Sequence, residues 1–370
     1  MYEPIPGNKI FEALHDHPTI VMACNTRVTK GISKGILRAA KKVDAPVIIE
    51  LAKSECNVNV GYTGHTPDSL AKAAKQAARE AQHDIWALHA DHIGIKKGTP
   101  EEIKETKELV LAQIKAGFTS FAIDASHLFN LDGKDEKEQL AENIRATTEI
   151  AKFIEKNMNG DFGLEVEVGE IGKKDAQGNV ITTPKEAVTF ISELHKNGVE
   201  PQVLAIANGS SHGNVYDDAG NLIEQVTIDI PRTKAVVKAL KDNGFNVRIA
   251  QHGITGTPID LIYTKFPHGD IIKGNVGTYW QNVFYDILKV YNPKLYQKIW
   301  DWVMENYTGK RDEEIFGKNA KHALKVFFDD IYGMDKEFEH ALEAEAYARA
   351  LIFFKAFKSE GYASKIRKLL

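Results

Sequence analysis

The chain has 370 residues, a formal charge of −4, 43% hydrophobic and 26% charged residues. Those are the proportions of an ordinary globular protein, and such a length can bury a full core without disulfides or structural metals. The near-neutral charge argues against bulk nucleic-acid binding, two cysteines are too few for a disulfide framework, and no segment approaches the ~18 consecutive apolar residues of a membrane span.

In chain order, the first residues (MYEPIPGNKIFEALHDH) carry early acids and prolines and lack the basic start and apolar run of a secretory leader. With only Cys24 and Cys56, a cytoplasmic protein is expected. Strand-like apolar runs then alternate with amphipathic helical stretches. Strands are expected at 18–25, 45–52, 85–91, 119–125, 162–168, 203–208, 247–252 and 270–275. Several are apolar at nearly every position, as in APVIIELA and VLAIAN, which is how a parallel strand covered on both faces reads. Three helices between them open with Thr-Pro, at Thr66, Thr99 and Thr183, where Thr can cap and Pro fits the first helical position. Gly117, Gly198 and Gly244 are placed to end helices in the left-handed conformation.

Eight strand–helix units over ~270 residues match a (β/α)8 TIM barrel, with a doubly wound open sheet as the competing α/β architecture. The barrel is expected over residues 1–291. The tail, 292–370, reads as a helical extension packed on the barrel or on a partner subunit; it contains EFEHALEAEAYARALIFFKAFKSEG, with apolar residues at helical spacing.

In such a barrel the functional groups sit where strands end and βα loops begin. Strand three ends in Leu88-His89-Ala90-Asp91-His92, strand six runs into Asn208-Gly209-Ser210-Ser211-His212-Gly213, and strand seven ends in Gln251-His252-Gly253. Three of the thirteen histidines thus fall at the same end of three strands, with Asp91 and Glu167 beside them. Three imidazoles that leave a position open make a catalytic metal site, acting as a Lewis acid or on bound water. His89 and His127 read instead as hydrogen-bonded structural residues. Two Gly-rich turns, His252-Gly253-Ile254-Thr255-Gly256-Thr257 and Lys273-Gly274-Asn275-Val276-Gly277-Thr278, follow strands seven and eight, the usual place for a phosphate in this barrel.

The string LHADH resembles the L-H-x-D-H signature of class II ketose-bisphosphate aldolases, and the likeness continues in order through AIDASHL, LEVEVGEIG, AIANGSSHG, QHGITGTP and KGNVGT, over about residues 18–280. This resemblance implies reversible cleavage of a ketose (bis)phosphate such as fructose 1,6-bisphosphate into dihydroxyacetone phosphate and an aldehyde. It implies Zn2+ or another divalent metal as cofactor, admits a monovalent cation beside it, and suggests a homodimer or homotetramer. His92, His212 and His252 match the metal-binding histidines, Glu167 a carboxylate near the metal and alternative ligand, and Asp91 the acid/base at the cleaved bond. Gly213, Gly253, Thr255, Asn275 and Thr278 match positions that hold the ketose phosphate, and Asn25 a polar residue of the substrate mouth.

The chain also departs from that pattern. A Gly-Gly-x-Glu-Asp loop after strand five is replaced by Gly172-Lys173-Lys174-Asp175, so the acid that moves the carbon-bound proton falls to Asp175, or to Glu170 by another route. Gly277 stands where a carboxylate is usual, and Ala52 where a polar residue is. These losses leave the sugar open. A stretch ECNVNVGYTGHTPDSL also resembles the accessory subunits of tagatose-bisphosphate aldolase, so a non-catalytic accessory subunit is the alternative expectation. A barrel hydrolase would use an early H-x-H pair; His15-Asp16-His17 reads as a surface pair in a helix before strand one. A lysine nucleophile at Lys53 or Lys273 would leave the three histidines unexplained, and both lysines read as solvated or phosphate-facing.

Overall fold

The computed structural model describes residues 2–169, 174, 175 and 178–370, with 174, 175, 178 and 179 described in backbone alone. Eight parallel strands close into a barrel: β1 (Val21–Asn25), β2 (Val47–Ala52), β3 (Trp86–Gly94), β4 (Ser120–Asp124), β5 (Gly163–Glu167), β6 (Val203–Ala205), β7 (Arg248–Gln251) and β8 (Ile271–Val276). Each pairs with its neighbours in sequence, and β8 pairs with β1, from Val21 opposite Lys273 to Cys24 opposite Val276. That closure excludes the open doubly wound sheet. All eight expected strands form within a few residues of the expected bounds. The sixth is the most shortened: past Ala205 the chain turns away, and Asn208 bonds Thr233 and Gln251.

Helices follow the strands in order: α2 (Ile32–Val43), α3 (Pro67–Ala81), α4 (Pro100–Ala116), α5 (Glu136–Asn157), α6 (Pro184–Lys196), α7 (Ile230–Asp242), α8 (Ile259–Lys265) and α9 (Thr278–Tyr291), after a first helix α1 (Gly7–Leu14) ahead of the barrel. The three Thr-Pro starts act as expected. Thr66, Thr99 and Thr183 each accept a bond from the backbone N–H three residues on, and Ser69 and Glu186 return the bond to complete capping boxes. Gly117 ends α4 at φ +93°.

Two apolar layers fix the barrel. The larger lies between strands and surrounding helices, with Trp86, Phe121, Trp280 and Phe284 fully buried in it. The smaller fills the lower barrel with Val21, Ala23, Ile48, Ala87, Val203 and Ala250, and α1 plugs that end with Ile10, Phe11 and Leu14. His15-Asp16-His17 therefore follows this plug helix rather than lying within it.

The tail continues in helices α10 (Pro293–Asn306) and α11 (Asp312–Asn319), then α12 (Lys336–Ala356). α12 lies along α2. A Cβ on Gly35 would sit 2.9 Å from the Ala346 Cβ and closer still to the Glu343 carbonyl, so the two backbones approach as only glycine allows. Tyr332, just before α12, accepts from the Thr29 amide at 3.1 Å and bonds the His65 ring at 2.8 Å, which ties the extension to the loops after β1 and β2. Among the described residues no helix is long and apolar enough to cross a membrane.

Candidate active site

Side chains alternate sides along a regular strand, so Asp91 and His92 should face opposite ways. They do not. The β3–β4 register shifts between Ala90 and Ile93, and His92 takes φ +38°, a left-handed conformation uncommon for a residue with a Cβ. The irregularity turns both Asp91 and His92 into a cavity of about 890 Å3 at the C-terminal mouth of the barrel. Strain of this kind costs on the order of 1–3 kcal/mol and persists only where surrounding structure enforces it.

The His92 ring meets two others there. Its centroid lies 5.2 Å from His212 and 4.4 Å from His252, and one ring nitrogen from each of the three falls within 4.8 Å of the others. Carboxylates orient two of them from outside. His92 Nδ1 faces Glu167 at 3.0 Å and Asp124 at 3.3 Å, while His252 Nε2 bonds Glu165 Oε1 at 3.0 Å. Hydrogen bonds to the far ring nitrogen fix the tautomer of a metal ligand and raise its basicity. Among the described residues His92 Nε2 is buried without a hydrogen-bond partner, an arrangement that costs about 1–3 kcal/mol unless something fills it. The donor set, orphaned lone pair and flanking carboxylates therefore fit a divalent cation. Glu167 stands one ring away, in a second compact group with His92 and Asp124.

Burial would lower the His92 pKa, but Asp91 and Glu167 raise it well above the usual imidazole value. Burial and then Asp124 push Glu167 up to about 8.

Asp91 is 2% exposed and held from both ends: Oδ2 accepts from Asn25 at 2.9 Å and Oδ1 from Asn275 at 3.2 Å. Burial would raise its carboxyl, but the surrounding His92, Lys273 and His252 hold it far below the usual range. Asn25 also bonds Glu55, which pairs with Arg27 at 2.6 Å and accepts from Tyr62 at 2.7 Å. Arg27 reaches Thr278 Oγ1 and Gln281 Oε1, each at 3.0 Å, so the loops after β1, β2 and β8 share one hydrogen-bonded rim.

Beneath this mouth lies a charged layer that the sequence reading passed over. Lys273 is fully buried and not solvated or phosphate-facing as expected. Its Nζ lies 2.8 Å from Glu165, 3.0 Å from Glu50 and 3.9 Å from Asp91, because a buried ammonium needs acidic partners; Glu165 is held ionised by it, while burial and then Asp91 push the Glu50 carboxyl well above its ordinary value. Those partners hold the lysine pKa above its ordinary value against burial, so it stays an ammonium. His89 is structural, as expected: Nδ1 bonds Ser120 at 2.7 Å, and burial followed by Lys273 depresses it to about 3. Lys53 is half-buried and bonds the Gly94 carbonyl and Thr106. A signal for the layer existed. Glu50, Glu165 and Lys273 are charges inside strands that are otherwise mostly apolar, and such residues are almost never buried unpaired. Arg27, Glu55 and Tyr62 carried no comparable signal.

Gly213, Gly253, Thr255, Asn275 and Thr278 all line the cavity, with Asn25, Asp91, Glu167 and the three histidines. Gly253, at φ +66°, packs where a Cβ would meet the Ser211 carbonyl at 2.5 Å, so the loops after β6 and β7 lie against each other. Helix α9 starts at Thr278 with no cap from its own N-terminal residue; the Tyr279 amide in its first turn donates instead to Thr255 Oγ1 at 3.1 Å, which ties the loop after β7 to this helix start. Glu170 lies outside the described residues. Asp175 sits in a two-residue strand paired with Gly178–Asn179, and its side chain lies outside them too.

A closed (β/α)8 barrel with three convergent imidazoles and a buried carboxylate at its C-terminal mouth defines the class: a barrel enzyme with a metal-type centre. Residues 6–331 match the family described as class-II fructose-bisphosphate aldolase, and the chain belongs to that family of carbon–carbon lyases. The fructose-bisphosphate aldolase of Helicobacter pylori strain J99 is 27% identical over 282 residues, covering 74% of this chain and 76% of that one. That of Staphylococcus aureus strain Mu50 is 26% identical over 279 residues, 71% and 80% of the two chains. The crystal structure of the Campylobacter jejuni fructose-bisphosphate aldolase shares the fold, with TM-score 0.62, 20% identity, and coverage of 97% of this chain and 96% of that chain.

Proposed function

We propose that this chain is a metal-dependent aldolase that reversibly cleaves a ketose (bis)phosphate, such as fructose 1,6-bisphosphate, into dihydroxyacetone phosphate and an aldehyde. The observation that carries the reading is the orphaned His92 Nε2, buried beside His212 and His252 with Asp91 next to it. His92, His212 and His252 would hold zinc or another divalent ion, with Glu167 as alternative ligand. When bound, that ion supplies Lewis-acid stabilisation of the negative charge that develops on the substrate carbonyl oxygen.

Asp91 takes the proton from the hydroxyl of the departing aldehyde half and returns it in condensation. Its bonds from Asn25 and Asn275 keep both oxygens positioned, while His92, Lys273 and His252 around it keep the carboxylate ionised. Asp175 or Glu170 delivers the proton to the carbon. Gly213, Gly253, Thr255, Asn275 and Thr278 hold the ketose phosphate through backbone N–H groups and hydroxyls, and Asn25 faces the substrate in the mouth. Lys273 gains no support as a nucleophile, since Glu165 and Glu50 hold it as a buried ammonium.

The reading includes cytosolic residence and a homodimer or homotetramer; the two free, buried cysteines are consistent with a reducing compartment. A retro-aldol screen of phosphorylated ketoses, with and without chelator, tests it. Cleavage that stops on chelation and returns with a divalent ion is expected. A chain that keeps its metal yet cleaves none of them would instead favour an accessory subunit.

A further inference from the structure

The aldolase chemistry proposed above uses the mouth of the barrel and leaves the charged layer beneath it without a task. That layer is costly: two acidic side chains and an ammonium, all essentially inaccessible, give little net stability compared with an apolar core of the same volume. Its connections are directional. Lys273 Nζ bonds Glu165 Oε2 at 2.8 Å, and the other oxygen of the same carboxylate accepts from His252 Nε2 at 3.0 Å. On its other side Lys273 pairs with Glu50 Oε2 at 3.0 Å, while Glu50 Oε1 accepts from Asn275 Nδ2 at 2.8 Å. That amide also donates to Asp91 Oδ1 at 3.2 Å. Two branches thus leave one ammonium, one ending on a metal-type histidine and the other on the acid/base carboxylate.

We propose that Lys273 is a positioning residue that sets both ends of the site at once: through Glu165 it orients His252 toward the metal, and through Glu50 and Asn275 it holds Asp91 at the reacting bond. The inference rests on the metal-dependent aldolase reading. It makes the two functions mechanically linked, so disturbance of the barrel floor reaches metal affinity and proton transfer together, although Lys273 touches neither metal nor substrate.

The test measures zinc affinity by competition with a chromophoric chelator, together with kcat and KM for fructose 1,6-bisphosphate cleavage, in the full chain. Glu165→Gln cuts one branch at nearly constant volume and is expected to weaken zinc binding on the order of 10-fold. Glu50→Gln cuts the other and is expected to lower kcat by about 10-fold or more, with KM within about threefold and zinc affinity unchanged. Lys273→Met is expected to show both losses. Should Lys273→Met fail to fold, the two Gln variants still decide through their opposite signatures. Variants that lose only stability, with zinc affinity and kcat of the folded protein unchanged, overturn the inference and leave the aldolase reading intact. A wild-type chain that binds no zinc and cleaves no ketose phosphate overturns both.

Discussion

Replacing Asp91 by Asn tests the acid/base assignment with almost no change of shape. The native carboxylate accepts one N–H at each oxygen, from Asn25 at 2.9 Å and from Asn275 at 3.2 Å, and is 2% exposed. An amide can accept at one end only. Its NH2 would face another NH2 at the other end, leaving buried donors unmatched at a cost of about 1–3 kcal/mol in stability. The larger effect is expected in turnover. Loss of a positioned general base lowers the rate ~10²–10⁴-fold, or about 3–5 kcal/mol in the barrier. Zinc should remain bound, because the imidazoles and their carboxylate partners are untouched. Steady-state cleavage of fructose 1,6-bisphosphate, zinc competition and denaturant unfolding on the same preparation separate these quantities. A D91N protein that keeps kcat within threefold of wild type would refute the role given to Asp91.

Three further outcomes are expected. Because Asp91 and Glu167 raise the His92 pKa, a cation must displace a proton. Zinc affinity should therefore climb with pH below that pKa, and calorimetry in buffers of different ionisation enthalpy should detect the released proton; a flat profile would speak against His92 as a ligand. His65 is depressed to about 4 by burial, below its unfolded value near 6.5, so the neutral ring's contribution is complete above about pH 6.5 and disappears as pH falls toward 4. That amounts to roughly 3 kcal/mol, and the pH slope of unfolding free energy in this window should flatten in H65Q. Gly35→Val would drive a side chain into the Ala346 face of α12; a loss of about 1–3 kcal/mol in denaturant unfolding is expected, and an unchanged midpoint would show that the extension does not pack there.

The fold was legible because its rules are local. Two-faced apolar strands, Thr-Pro starts at Thr66, Thr99 and Thr183, and left-handed glycines after the helices gave every barrel strand and the order of the units. Convergence of His92, His212 and His252 was legible too, since barrel topology puts all C-terminal strand ends at one mouth. What stayed hidden depends on distance in space. The Lys273–Glu50–Glu165 layer joins residues more than a hundred positions apart in two of its pairings, and only their charge within apolar strands hinted at it. The bulge that brings Asp91 and His92 to one side breaks the alternation on which strand reading relies. Arg27 and Glu55 sit in loops, where no periodicity marks them.

Anomalous diffraction at the zinc edge, on crystals of the chain grown with zinc, addresses the metal centre most directly. The expected result is one peak per chain among His92, His212 and His252, with Asp91 close by and Lys273 below it. No ordered metal at that position, or a peak among Glu50, His89 and Asp91 in its place, would contradict the metal centre on which the proposed chemistry depends.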